Sequence, residues 1–243
     1  SQKKEEKEKN SKMAQIRSRC REIRIRMVNE IIKKIEELSG QYSGYEIFSD
    51  WIKAVAICIS NQTDRATGMY DRKIYEKRED QYIEIAKKHL GKMVEFSNMT
   101  GMLVVSLENN MEDVLGKIYM QAGLGSKQTG QFFTPFHLSY LTAKIAVPED
   151  ADEQNPYIMH EPSTGGGGMI IAAAKVLRDR GLNYQRCLKV VAQDLDWKGV
   201  YMTYVQLSLL GIEATVIQGD SLSGRAPAAE QIFYTPRKKG LIM

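Results

Sequence analysis

The sequence predicts an α/β fold in which a parallel sheet with crossover helices follows an all-helical region. Three observations carry this. After about residue 155, short β-like runs alternate with helical ones, the pattern of a parallel sheet. Before residue 125, apolar residues recur at steps of three and four, and no run reads as a strand. Between strand and helix lies 161-EPSTGGGGMIIAAA-174, with four glycines in a row.

The elements follow in order. Residues 1–11, SQKKEEKEKNS, are a polar tail with too little apolar surface to order itself. In 12-KMAQIRSRCREIRIRMVNEIIKKIEEL-38 the apolar residues fall at 16, 20, 23, 27, 31, 35 and 38, which predicts a long amphipathic helix ended by Gly40. Lys33 and Lys34 suit the negative end of its dipole. A core helix is expected over 47–62, capped by Ser49. Residues 78–108 read as two helices broken near Thr100 and Gly101, and 111–124 as a short fifth. In the second half the expected strands are 157–161, 187–194, 213–220 and 231–235. Helices over 167–181 and 197–210 separate the first three. The expected division is a tail over 1–11, a helical domain over 12–125 and an α/β domain over 126–243.

Composition sets bounds. Three scattered cysteines without a CxxC pair exclude a disulfide framework and a zinc site. No apolar run reaches 18 residues and no signal peptide is visible. The expectation is a cytoplasmic protein that does not enter a membrane. The net charge of +4 is uneven, because residues 1–39 carry 12 Lys/Arg against 7 Asp/Glu. Arg17, Arg19, Arg21, Arg24 and Arg26 crowd one segment. Such a stripe either meets nucleic-acid phosphates, with Arg17, Arg21 and Arg24 as the DNA-binding candidates, or keeps a helix face solvated.

The glycines need a chemical reason. In an open parallel sheet, ligands bind at the carboxyl ends of the strands. There glycine permits close backbone approach, and the next helix aims its N–H groups into the same crevice. GGGG matches the dinucleotide signature GxGxxG only loosely, and the Gly-Lys-Ser/Thr of a P-loop is absent. The expected strands instead end in Glu161, Asp194 and Asp220. Carboxylates at three strand ends suit an ammonium group, ribose hydroxyls and an adenine amino group. That describes S-adenosylmethionine better than a dinucleotide. One such carboxylate alone would read as a helix cap.

The residues 130-GQFFTP-135, 161-EPSTGGGGM-169, 192-AQDLD-196 and 219-GDSL-222 together resemble, in this order, the M subunits of type I restriction-modification systems. These are adenine-N6 DNA methyltransferases. The segment 113-DVLGKIYMQ-121 resembles their Asp-x-Leu-Gly-x-x-Tyr stretch. The resemblance covers about residues 45–236. It implies a Rossmann-like S-adenosylmethionine-dependent methyltransferase sheet, here partial with strand order 3-2-1-4. By position, Phe133, Thr134 and Pro135 would line the cofactor site. Glu161, Pro162 and the turn Gly165, Gly166, Gly167 and Gly168 would hold the methionine part. Asp194 would take the ribose and Asp220 the adenine. The implied partners are double-stranded DNA and either specificity and restriction subunits or a second copy.

The sequence departs from that family at its catalytic motif. Where Asn-Pro-Pro-Phe/Tyr is expected, it has 231-QIFYTPRKK-239. Tyr234 stands for the asparagine, and only Pro236 survives. The sequence also stops at Met243, before the three strands that complete a methyltransferase sheet. Two expectations follow. The chain methylates DNA adenine alone or with partners, or it is a relative or fragment that binds cofactor or DNA without transferring a methyl group.

Overall fold

The computed structural model describes residues 18, 19, 22, 23, 25–68, 70–109, 111–125 and 133–241. Helix α1 runs over 25–38 and buries Val28, Ile31 and Ile35. The polar tail, the boundary near residue 126 and Arg17, Arg21 and Arg24 lie outside the described residues. Arg19 and Arg26 are exposed.

Four more helices complete the first half: α2 (Gly44–Thr67), α3 (Arg72–Lys88), α4 (Met93–Asn109) and α5 (Val114–Gln121). Two sequence expectations are corrected here. Helix α2 is capped by Ser43 and not by Ser49, because Ser43 and Glu46 satisfy each other's backbone N–H groups in a capping box. The break expected near Thr100 and Gly101 falls at 89–92 instead. Lys92 N–H closes a turn on the His89 carbonyl at 2.9 Å, and Gly91 takes a left-handed φ of 80°, which glycine adopts without strain. Gly101 stays helical, between buried Met99 and Leu103.

The second half opens with α6 (Phe136–Ala146), a helix outside the expected set. The alternation then follows: β1 (Tyr157–Glu161), α7 (Gly168–Asp179), α8 (Tyr184–Cys187), β2 (Leu188–Asp194), α9 (Trp197–Leu209), β3 (Glu213–Gln218), a 3-10 turn (Ala229–Gln231) and β4 (Ile232–Tyr234). β1, β2 and β3 are parallel neighbours in that order.

β4 departs from the expected order 3-2-1-4. It pairs with β3, and antiparallel: Ile217 faces Ile232, and Thr215 faces Tyr234. A parallel return usually crosses over through a helix. Residues 219–231 contain only the 3-10 turn, so the chain doubles back beside the strand it has just left. Thr235 then latches the reversal. Its hydroxyl donates to the Ile212 carbonyl at 2.7 Å and accepts from the Ala214 N–H at 2.9 Å.

The dry face of the sheet, with Val190, Ala192, Ala214, Val216 and Phe233, packs on α7 and α9. Helix α2 packs on the outer side of α9. A single apolar core therefore runs from Ile31 to Phe233 through both halves. The opposite face of the sheet is open, with Ile158 73%, Val191 37% and Tyr234 41% exposed. Parallel sheets are rarely left bare on one face. Among the described residues no helix is long and apolar enough to cross a membrane.

Candidate cofactor site

The glycine turn leaves β1 at its carboxyl end and is anchored to β2. Thr164 N–H donates to the Gln193 carbonyl at 2.9 Å. Gly165 N–H donates to Asp194 Oδ2 at 2.7 Å, and the other oxygen of Asp194 accepts from the Asp196 N–H at 2.9 Å. Three of the four glycines have a reason in the structure. Gly165 and Gly167 take left-handed φ angles of 54° and 88°, which side chains rarely tolerate. At Gly165 a Cβ would stand 2.9 Å from the Phe133 ring, and at Gly166 it would stand 2.6 Å from the Asp113 carboxylate. The neighbours that crowd this backbone are thus the protein's own aromatic ring and carboxylate, and both continue into the cleft.

That cleft is lined by Asp113, Phe133, Thr134, Ser139, Ser163, Thr164, Gly165, Gly166, Gly168, Met169 and Asp194. It is a half-open cleft whose mouth faces solvent. It continues into a trough lined by Pro135, His137, Tyr140 and Lys175.

Asp113 dominates its chemistry. It caps α5, and its Oδ1 accepts from Gly116 N–H and from Gln206 Nε2, each at 2.8 Å. Burial pushes its carboxyl above the ordinary carboxylate range, against the opposing pull of these two donors. No cation pairs with it among the described residues. Gln206 is fully buried on α9 and organises the floor, since it also donates to the Gly166 carbonyl at 2.7 Å and accepts from Leu115 N–H at 3.1 Å. Thr203 braces the turn from the same helix by donating to the Gly165 carbonyl at 3.0 Å. Ser139 lines the cleft fully buried, and its hydroxyl has no partner among the described residues.

The structure brings together Phe133, Thr134, Gly165, Gly166, Gly168 and Asp194, with Pro135 in the adjoining trough. Gly167 sits behind them against Thr203. Glu161 and Pro162 stand at the rim without lining the cleft, and Glu161 accepts from Ser163 N–H at 3.2 Å. Asp220 lies two residues beyond β3, exposed, and accepts from Leu222 N–H at 2.9 Å.

Tyr234 and Pro236 lie elsewhere. Because β4 runs antiparallel, it carries them toward the amino end of β3, away from the carboxyl ends where the glycine turn sits. Tyr234 lines a separate cleft with Asp64, Tyr70, Arg78 and Lys239. Pro236 is buried, and its carbonyl accepts from Leu241 N–H.

Asp113, Gln206, Thr203 and Ser139 are functional candidates absent from the set expected from sequence. Asp113 carries a signal there, since it precedes the helical stretch VLGKIYMQ as a capping residue does. The other three are ordinary helix residues until the fold puts them beside the turn.

The profile of the family described as N-6 DNA Methylase matches residues 110–235, just over half of the chain. The match takes in Asp113, the glycine turn and β1 to β4. Among solved structures, the methyltransferase subunit of the type I restriction-modification system from Streptococcus thermophilus is similar at 12% identity and a TM-score of 0.46. The similarity covers 87% of this chain and 61% of that subunit, so the chain spans about three-fifths of the subunit's length. No curated relative matches the sequence.

Proposed function

Since the chain belongs to the N-6 DNA methylase family, we propose that its glycine cleft binds S-adenosylmethionine and that it serves adenine-N6 methylation of double-stranded DNA. When bound, that cofactor supplies an electrophilic methyl group. The observation that carries this reading is the pairing of a glycine turn held by Asp194 with a buried Asp113 and a buried Ser139 hydroxyl in the same cleft, the one without a cation and the other without a partner among the described residues. A buried carboxylate without a cation is costly, and the cofactor's ammonium group offsets that cost. The residues fit the group: polar atoms await partners, and the turn leaves room where side chains would fill it.

In this reading Phe133, Thr134 and Pro135 form one wall. The turn Gly165–Gly168 and Asp113 hold the methionine part, with Glu161 and Pro162 shaping the rim. Asp194 retains lone pairs beyond its two backbone donors and accepts from the ribose hydroxyls. Asp220 takes the adenine edge. Specificity and restriction subunits, or a second copy, are the proposed partners, in the cytoplasm.

The placement of Tyr234 and Pro236 supports a second reading. The residues proposed for the cofactor line one cleft, while the segment aligned with the catalytic motif lies at the other end of β3. Under this reading the chain alone binds the cofactor without transferring the methyl group, and a partner supplies the missing polar group.

Titration calorimetry separates the outcomes. The chain is expected to bind S-adenosylmethionine and not NAD, with affinity reduced at least tenfold in Asp194→Ala. Equal affinity in the variant, or no binding, would overturn the cofactor site. Transfer of a labelled methyl group to DNA by the purified chain would overturn the second reading and keep the first.

A further inference from the structure

A second groove lies between the helical half and the sheet, outside the glycine cleft. It is lined by Lys53 of α2, by Ile74, Lys77, Arg78 and Gln81 of α3, by Trp197 and Tyr201 of α9, and by Glu230 and Phe233 at β4. Its aromatic wall is ordered. Trp197 stacks on Tyr201 with ring centroids 5.4 Å apart and planes 25° from parallel. Both rings meet the edge of Phe233, at 6.4 and 5.9 Å. The Arg78 guanidinium lies 4.0 Å over the Phe233 ring. Arg78 is fixed there by bonds to Ser60 Oγ at 2.7 Å and to the Ile232 carbonyl at 3.0 Å. The stack ends at Trp197, which is 37% exposed.

The charges of this groove are not balanced. Lys77 pairs with Glu230 at 3.0 Å across an exposed surface, where ion pairs contribute little. Arg78 has Asp64 at 3.8 Å. Lys53 is half-buried and has no hydrogen bond or ion pair among the described residues. Burial pulls its ammonium below the ordinary lysine range, with Asp50 and Glu84 opposing only through the longer-range field. A desolvated, unpaired ammonium beside an unfinished aromatic stack calls for a ligand that is planar and apolar on one side and anionic on the other.

We propose that this groove binds a nucleotide unit, its base stacked on Trp197 and its phosphate held by Lys53 and Lys77. Gln81 offers both a donor and an acceptor to a base edge. Base stacking on an aromatic ring and phosphate binding by lysines are the two terms that hold single-stranded nucleic acid without sequence preference. The chemistry is shared by a mononucleotide and by a nucleotide within a single strand, and the two sources are distinguished below. The inference does not rest on the cofactor reading, because none of these residues lines the glycine cleft.

The two tryptophans give a direct readout. Trp51 is fully buried, with its indole N–H bonded to Thr100 at 3.0 Å, so quenching by an added nucleotide reports Trp197. The full chain is titrated with a fluorescein-labelled twelve-nucleotide oligo(dT), and separately with dTMP, without S-adenosylmethionine. Saturable quenching by the oligonucleotide alone supports a single-strand site, and quenching by both supports a nucleotide site of either source. In Trp197→Leu the quenching is expected to vanish and oligonucleotide affinity to fall about tenfold or more. In Lys53→Gln/Lys77→Gln, affinity is expected to fall and the salt dependence to flatten by about 0.7 for each phosphate left without its lysine. Absence of binding would overturn the proposal, as would oligonucleotide affinity and salt slope unchanged in both variants. S-adenosylmethionine calorimetry on the same proteins, expected unchanged, keeps failure here distinct from failure of the cofactor site.

Discussion

Asp113 shows how one residue serves local structure and the site together. It caps α5, stands against Gly166 and faces the cleft. Burial raises its carboxyl above the ordinary value of 3.8. The stability from its neutral form is therefore fully present below about pH 3.8 and is lost as pH rises through the raised value. Asp113→Asn keeps the Oδ1 acceptor for Gly116 and Gln206 and removes the titration. The variant is expected to be more stable than the parent near neutrality. In urea unfolding between pH 4.5 and 7.5 that gap should widen with pH. The same variant should bind S-adenosylmethionine at least tenfold more weakly, because its amide cannot neutralise the ammonium. Equal stability at all pH values would show that burial does not perturb this carboxyl. Asp194 is marked in the sequence as a lining residue of the cleft, because it ends an expected strand together with Glu161 and Asp220 after a glycine turn. Ser139 and Gln206 are not, since their meaning comes from which residues face them across the fold.

At the scale of elements, local chemistry decides most boundaries. β1 occupies the residues expected for it, and β2 and α9 differ from their expected spans by one residue, because apolar period and turn residues agree there. The capping box of α2 lies outside the expected span, since Ser43 precedes the apolar run that signals the helix. β4 is a strand in nearly the expected place but beside a different neighbour. Three residues have no register information of their own; the helix-free connection and the Thr235 latch supply it. Thr235→Val keeps the shape and removes both hydroxyl bonds, leaving Ala214 N–H unpaired in a buried position. A loss of about 1–3 kcal/mol is expected, measured by denaturant unfolding. A loss under about 0.5 kcal/mol, below the usual worth of one hydrogen bond, would show that β4 is held by Phe233 and Arg78 instead of by the latch.

For the whole molecule, the two halves share one core, with α2 on α9 and Arg78 over Phe233. The change of sequence period near residue 155 is visible, and it marks a change of architecture without a break in packing. Composition alone does not show this, because the contacts that join the halves are long-range pairs such as Arg78 with Ile232. The open face of the sheet is equally invisible, since runs such as YIMHE and CLKVVAQD read the same whether one face or two are covered. That face has a thermal consequence. Ile158, Val191 and Tyr234 are already hydrated in the folded state, so unfolding brings less new apolar surface into water. The heat-capacity increment should lie toward the low end of the usual ~12–15 cal/mol/K per residue. Scanning calorimetry at several pH values would measure this increment, and an ordinary value would mean that the face is covered in solution. A smaller increment would broaden the curve of stability against temperature slightly, a property that comes from what the fold leaves wet.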